Sequence, residues 1–252
     1  MNENNNRITI RVWGDYACFT RPEMKVERVS YQICTPSAAR GILEAIYWEP
    51  QIYYGIDSIA VVKKGRWFSF RRNEVTPVIN INQAQSWMQG KSPVKYVMAG
   101  GGAPDAAQRN MLALADVEYL ITAEVRTSKR YNPSHNDKGK YLREIRDRAS
   151  KGKCYHRPAL GCREFAANFD WVEDAAQTKL AEWKEEDLGL MLYDVFDVNQ
   201  REEGFRWLSE TEYEGTIVQP QASFFHAKVK DAKMDCHPDR VTIIRSKGKG
   251  VN

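Results

Sequence analysis

No stretch of this 252-residue chain approaches the roughly 20 apolar residues that a membrane-spanning helix needs. The opening MNENNNR also lacks the apolar run of a secretory signal. Cysteine is sparse: five, an odd number without regular spacing, which argues against a disulfide framework and for a reducing compartment. Together these absences lead us to expect a soluble, cytoplasmic protein. Histidine is rarer still, at four. Cys154, His156 and Cys162 lie near one another, but their spacing matches no zinc pattern. No metal and no other cofactor is expected. A large excess of one charge is missing too. The formal net charge is +4, too little to establish a nucleic-acid partner, so the placement of the cations matters more than their sum.

What is present reads as an α+β protein with ample chain for a core. Residues 8–13 alternate Ile8, Ile10 and Val12 with Thr9 and Arg11, an edge or half-buried strand. A well-punctuated helix follows over 36–48: Thr35 can cap it, Pro36 suits its first position and Pro50 stops it. Ala39, Ile42, Leu43, Ile46 and Tyr47 share one face, with Ser37, Arg40 and Glu44 opposite. Small Ala38, Gly41 and Ala45 are expected to let the helix press on a sheet. Ile52, Tyr54 and Ile56 alternate, then Ile59 and Val61 change parity, which predicts a bulge near Asp57 and Ser58. Lys64-Gly65 predicts a hairpin turn into a strand at 66–75.

Residues 76–116, rich in Gln, Asn, Gly and Ala, read as a long, partly mobile excursion. The clearest strand carries Val117, Tyr119, Ile121, Ala123 and Val125. A helix is expected over 137–151 with Leu142, Ile145 and Ala149 inward, and a closing strand over 159–168. The order strand, helix, two strands, strand, helix, strand is a ferredoxin-like pattern with an inserted hairpin and loop, shared with RNA-recognition modules. This places a first domain at 1–169. From 170 the composition shifts. An acidic, loosely helical run at 171–188 precedes short strands at 190–198, 205–208 and 216–218. A small β-rich domain over 170–252, with a basic tail carrying Arg240, Arg245, Lys247 and Lys249, is the second expectation.

Three groups of residues could carry chemistry. The basic, aromatic-rich segment 13–50 offers Arg21, Lys25, Arg28 and Arg40 to a phosphate-rich partner. In the run Arg66-Trp67-Phe68-Ser69-Phe70-Arg71-Arg72, aromatics beside arginines form a pattern suited to single-stranded RNA. Trp67 and Arg71 share one face there, and Phe68, Phe70 and Arg72 the other. The bland alternative is that one of these faces is core. Finally, Lys138, Lys140, Arg143, Arg146 and Arg148 crowd one helix. Lys138 and Lys140 sit in its first turn, where the macrodipole disfavours cations unless an anion is bound.

The segment GDYACFTRPEMKVERVSYQICTPSAARGILEAIYWEP (14–50) resembles the signature of the CRISPR-associated Cas-five family, in the subtype of type I-C Cascade (Cas-five-c/d). So do RWFSFRRNEV (66–75), QRNMLALADVEYLITAEV (108–125), NDKGKYLREIRDRASKGKCYHRPALGCREF (136–165) and GLMLYDVF (189–196), in the same order. The resemblance implies a fold of the RAMP superfamily and a metal-independent endoribonuclease that cuts CRISPR repeat transcripts. A ribose 2′-hydroxyl would attack its neighbouring phosphate, leaving a 2′,3′-cyclic phosphate and a 5′-hydroxyl. It also implies that the crRNA 5′ handle is retained beside the backbone and large subunits of Cascade.

The family site joins a first-helix tyrosine to the Lys-His of a GKH motif. These fall on Tyr47 and Lys140, with Tyr141 standing where the histidine is expected. Tyr141, His135 or His156 then supplies the missing proton function, or Tyr47 and Lys140 act alone. Unperturbed tyrosine and lysine titrate at about 10, so the reading expects their proximity to lower the tyrosine, with slow turnover. The alternative is a catalytically silent subunit that caps the handle.

Overall fold

The computed structural model describes residues 6–24, 26–196, 198–203 and 221–245. Among them runs one ten-stranded sheet. Strand β1 (Arg7–Ala17) buries Ile8, Ile10 and Val12 on one face and turns Arg7 and Arg11 outward. The short β2 (Arg28–Val29) leads to helix α1 (Pro36–Ile46), whose first turn is closed by the Ala38 amide donating to Thr35 Oγ1 at 3.2 Å. Strand β3 (Ile52–Lys63) carries the expected bulge, a register shift between Ile56 and Ser58 against its partner. Then come β4 (Arg66–Val75), helix α2 (Ile81–Met88) and β5 (Ala106–Thr127), followed by α3 (Lys138–Ser150) and β6 (Asn168–Trp171).

In the sheet, β3, β5, β1 and β6 are successive antiparallel neighbours. α1 links β1 to β3 and α3 links β5 to β6, so each helix crosses over one intervening strand. α1 lies against β3, α3 against β6, and the two helices touch. Val117, Tyr119, Ile121, Ala123 and Val125 share one core with Ala39, Ile42, Leu43 and Ile46 of α1 and Tyr141, Ile145 and Ala149 of α3. The remaining strands are β7 (Glu185–Asp194), β8 (Ser223–Lys230), β9 (Lys233–Asp235) and β10 (Ile244–Arg245), with α4 (Val198–Glu203) between β7 and β8. They extend the same sheet through β9, which pairs with β3.

Several expectations are corrected. Lys64-Gly65 is not a hairpin. β3 pairs with the second half of β5 and β4 with its first half, so the two form one long kinked partner of β5. Gly65 (φ +76°) and Asp116 (φ +56°) absorb the kink, and a Cβ on Gly65 would lie 2.7 Å from Val117 Cγ1. The chain reverses at 76–105 instead, where α2 forms, and 106–116 is strand because β4 offers it hydrogen bonds. The closing strand is β6. Residues 159–166 fold as a tight loop, with Leu160 donating to Phe165 O at 2.8 Å and Gly161 (φ +87°) pressed against the Cys18 carbonyl. The acidic run after 171 holds a single 3₁₀ turn, Ala175–Gln177, before β7 begins. The expected strands at 205–208 and 216–218, and the tail at Lys247 and Lys249, lie outside the described residues. Among those residues no helix is long and apolar enough to cross a membrane.

Candidate functional site

The end of α1 meets α3 and the loop that follows it. Tyr47 is the C-cap of α1, with extended backbone, and Tyr54 Oη donates to its carbonyl at 2.7 Å. The amides of Tyr155 and His156 donate to Ala45 O at 2.9 and 3.2 Å, so the loop after α3 closes the last turn of α1. Asp137 caps α3, accepting from Gly139 N at 2.8 Å. At this junction Tyr47 Oη donates to Glu49 Oε1 at 2.7 Å, and the Arg148 guanidinium lies 5.3 Å from the Tyr47 ring centre.

Burial, the hydrogen bond to Glu49 and the charges of Glu49 and Glu144 push the Tyr47 hydroxyl well above the usual phenol range. The expected lowering by Lys140 is therefore corrected, because burial and the Glu49 and Glu144 carboxylates raise the hydroxyl instead. Tyr47 stays protonated and can donate a hydrogen bond; it is no tyrosinate base. Lys140 is exposed in the first turn of α3, its ammonium 5.8 Å from the Tyr141 ring centre, with no carboxylate partner among the described residues. Lys138, half-buried, likewise has no such partner. Tyr141 turns inward, 2% exposed, and donates to Asn136 Oδ1 at 2.9 Å. His135 is exposed in the turn before α3, and His156 is exposed in the loop that closes α1.

The proposed phosphate contacts divide into free and committed cations. Arg71 and the half-exposed Trp67 stand on the open face of β4, and Arg71 has no ion-pair partner among the described residues. On the other face, Phe68 and Phe70 stack at 5.6 Å, Phe68 meets Tyr16 at 5.2 Å and Phe70 meets Phe165 at 6.1 Å. Arg72, beside them, is paired with Glu164 and with Glu74 at 2.5 Å. Arg28 reaches Cys162 Sγ at 3.2 Å and both of those glutamates at 3.8 Å. Arg21 covers the Tyr31 ring at 4.6 Å, Arg143 pairs with Asp137 at 2.7 Å, and Arg146 pairs with Glu173. Lys25 lies outside the described residues.

Arg40 is corrected outright. It is 8% exposed, and its guanidinium grips Asp194 at 2.8 and 3.1 Å and also Glu44, while Arg201 closes the network on Glu44 at 2.7 Å. It holds α1 to the end of β7 and is almost closed off from solvent. The cysteines also sort differently from their order in sequence. Cys162 meets Cys18 rather than Cys154, with its Sγ donating to the Cys18 carbonyl at 3.7 Å, while the Cys18 side chain and the Arg28 guanidinium lower its thiol below the usual range. Among the described residues no three His, Cys, Asp or Glu side chains gather as a metal-binding group.

Sequence reasoning missed a cleft of about 660 Å³ between α1, the end of β1 and the 156–163 loop, with Leu192 at one edge. Ser37, Ala38, Gly41 and Ala45 form its floor. The small residues expected to press on the sheet therefore face this opening, and a Cβ on Gly41 would meet nothing within 4 Å. The visible signal was small residues at positions 37, 41 and 45, one helical face apart from the apolar one.

A family model described as CRISPR-associated protein (Cas_Cas5) matches residues 7–237. A CRISPR pre-crRNA endoribonuclease Cas5d of Mannheimia succiniciproducens is 43% identical over 195 residues, spanning 75% of this chain and 85% of that protein. One of the same description from Thermus thermophilus is 37% identical over 237 residues, spanning 91% and 90%. Among solved structures, a CRISPR-associated protein superposes with a TM-score of 0.58 at 19% identity, covering 91% of this chain and 90% of that one. A functionally uncharacterized protein from Streptococcus mutans superposes at 0.59 and 18%, covering 94% and 96%. At those identities the likeness is one of fold.

Proposed function

The chain belongs to the CRISPR-associated Cas5 family, in the type I-C group, and on that premise we propose that it is an endoribonuclease cutting CRISPR repeat RNA without a metal ion. We read the β3–β5–β1–β6 sheet with α1 and α3 as a ferredoxin-like RNA-binding unit, and the strands after 170 as a β-rich addition on its β3 edge. The observation carrying the proposal is the junction of α1 and α3. There the Lys138 and Lys140 ammonium groups, without a carboxylate partner among the described residues, stand in the first turn of the helix whose Arg148 covers the ring of the tyrosine that ends α1. Two uncommitted cations at a helix N-terminus are costly alone and favourable once a phosphate arrives.

In the cleavage step the 2′-oxygen bonds to phosphorus as the bond to the 5′-oxygen breaks. A base removes the 2′-hydroxyl proton, an acid supplies one to the leaving oxygen, and cations offset the charge on the crowded phosphorane. We assign charge stabilisation to Lys140, whose ammonium can also protonate the 5′-oxygen. Tyr47, kept protonated by Glu49 and burial, donates a hydrogen bond to a phosphate oxygen after reorienting from Glu49. His156, whose amide closes the last turn of α1, is the group we assign to receive the 2′-hydroxyl proton. The product's 5′ handle stays bound, and the protein takes its place beside the backbone and large subunits of Cascade.

One observation favours a second reading, a catalytically silent handle cap. The residue at the family's histidine position, Tyr141, is turned into the core. Repeat RNA incubated with the protein in chelator, beside the same RNA carrying one 2′-deoxy at the cleaved nucleotide, decides between them. We expect cutting of the first and sparing of the second. Both RNAs intact but tightly bound would leave only the cap. Arg71→Ala is expected to weaken RNA binding and flatten its log–log salt dependence by about one unit. Arg72→Ala should leave the slope near native, because Glu74 and Glu164 already neutralise it. Equal slopes for native and Arg71→Ala protein would remove β4 from the interface.

A further inference from the structure

The cleft beside α1 has a chemistry of its own. Its lining includes Arg157, Arg163 and His156, the hydroxyl-bearing Thr20, Thr35 and Ser37, and, among the described residues, no Asp or Glu. Arg163 is exposed and has no partner among the described residues, while Asn168 Oδ1 fixes the Arg157 guanidinium at 2.8 Å. Thr35 already takes the Ala38 amide, so an anion here would be held by the arginines rather than by helix amides. Opposite them the floor is apolar and free of long side chains: Ala38, Gly41 and Ala45. The walls are firmly held. Cys18 N donates to Leu160 O at 3.0 Å, Ala167 N to Pro158 O at 2.9 Å, and the His156 amide is bound to α1. At about 660 Å³ the cleft lies within the roughly 300–1,000 Å³ of sites that enclose a small organic ligand.

We propose that this cleft receives a single nucleotide of the repeat transcript, swung out of its strand, with the base on the Ala38–Gly41–Ala45 floor and a flanking phosphate between Arg157 and Arg163. Single-stranded RNA is read through bases splayed out of the strand while cations grip the sugar-phosphate edge, and this cleft pairs an apolar hollow with two guanidinium groups. The inference rests on the RNA-processing reading above and deepens it, because His156 lies on the cleft's rim and would bring the extruded nucleotide next to the α1–α3 junction. It gives the protein a way to recognise one position of its substrate that is separate from the cations of β4.

Gly41→Phe is the direct test, since its side chain enters open space and replaces a helical glycine. Repeat RNAs carrying 2-aminopurine at one position at a time are titrated with native protein, Gly41→Phe and Arg163→Ala, with thermal melting of each. We expect a fluorescence change at one position with native protein, and loss of that change in Gly41→Phe. Affinity should fall roughly tenfold, the contribution of burying the base's apolar surface against the floor, with melting unchanged. Arg163→Ala, at an exposed and unpaired residue, should lower the salt slope by about one unit.

Gly41→Phe protein that binds as tightly as native, with the same 2-aminopurine profile, overturns the cleft assignment while leaving the endoribonuclease reading intact. Native protein that binds repeat RNA no better than an unrelated RNA overturns both. Saturation by free adenosine monophosphate, with no 2-aminopurine response from RNA, would make the cleft a mononucleotide site and also overturn the assignment.

Discussion

Lys140→Ala slows single-turnover cleavage of repeat RNA by about 10²–10³, the range for removing one group that stabilises a developing negative charge, while affinity stays within a few-fold of native. The asymmetry follows from where the ammonium stands. Lys140 is exposed and touches no carboxylate among the described residues, so its loss costs the fold nothing that Tyr141, Ile145 and Ala149 do not already supply beneath it. Binding is shared with Lys138, Arg71 and other cations, but charge on the phosphorane is local. Cleavage and filter binding on the same preparation provide the measurement. Equal losses of rate and affinity would make Lys140 a phosphate clamp and move the chemistry elsewhere.

Arg40→Ala destabilises the protein by about 3–5 kcal/mol, the usual cost of leaving buried charges without their partner. For a chain of this size that is a fall in melting temperature of roughly 6–20 °C. Asp194 would keep the Arg201 contact at 3.4 Å and the Val195 and Phe196 amides at 2.7 and 3.2 Å but lose its two-point guanidinium partner, and Glu44 would lose its partner within α1. The salt slope of RNA binding should be unchanged at a temperature where the variant is folded. Intact melting with a reduced slope would return Arg40 to the RNA surface and contradict the buried network. Together the two substitutions separate a cation that waits for a phosphate from one already spent on the fold.

The same contrast shows how much was legible beforehand. Local signals were reliable where a local cause exists. Thr35 and Pro36 started α1 by supplying a cap oxygen and a preset φ, and the parity change after Ile56 marked a real bulge. Alternation from Val117 to Val125 identified the strand at the centre of the sheet. The helical period placed Ala39, Ile42, Leu43 and Ile46 inward, but it placed Arg40 outward, because nothing in an 11-residue helix announces an aspartate 154 positions later. Gly65 was readable as a break in a strand. Whether a break becomes a reversal or a kink depends on which neighbour offers hydrogen bonds on the far side, and β5 is long enough to serve both halves.

By itself the sequence determined β1, α1, the central strand and α3, the family, and which residue types carry charge, since each depends on neighbours within a few positions or on motifs read in line. Only the tertiary structure decided which cations are free and which are paired, that burial and Glu49 rather than Lys140 govern the Tyr47 hydroxyl, and that the small face of α1 opens on a cleft. Those outcomes depend on partners brought from distant parts of the chain, and burial and Coulomb energies act through space, not along the backbone.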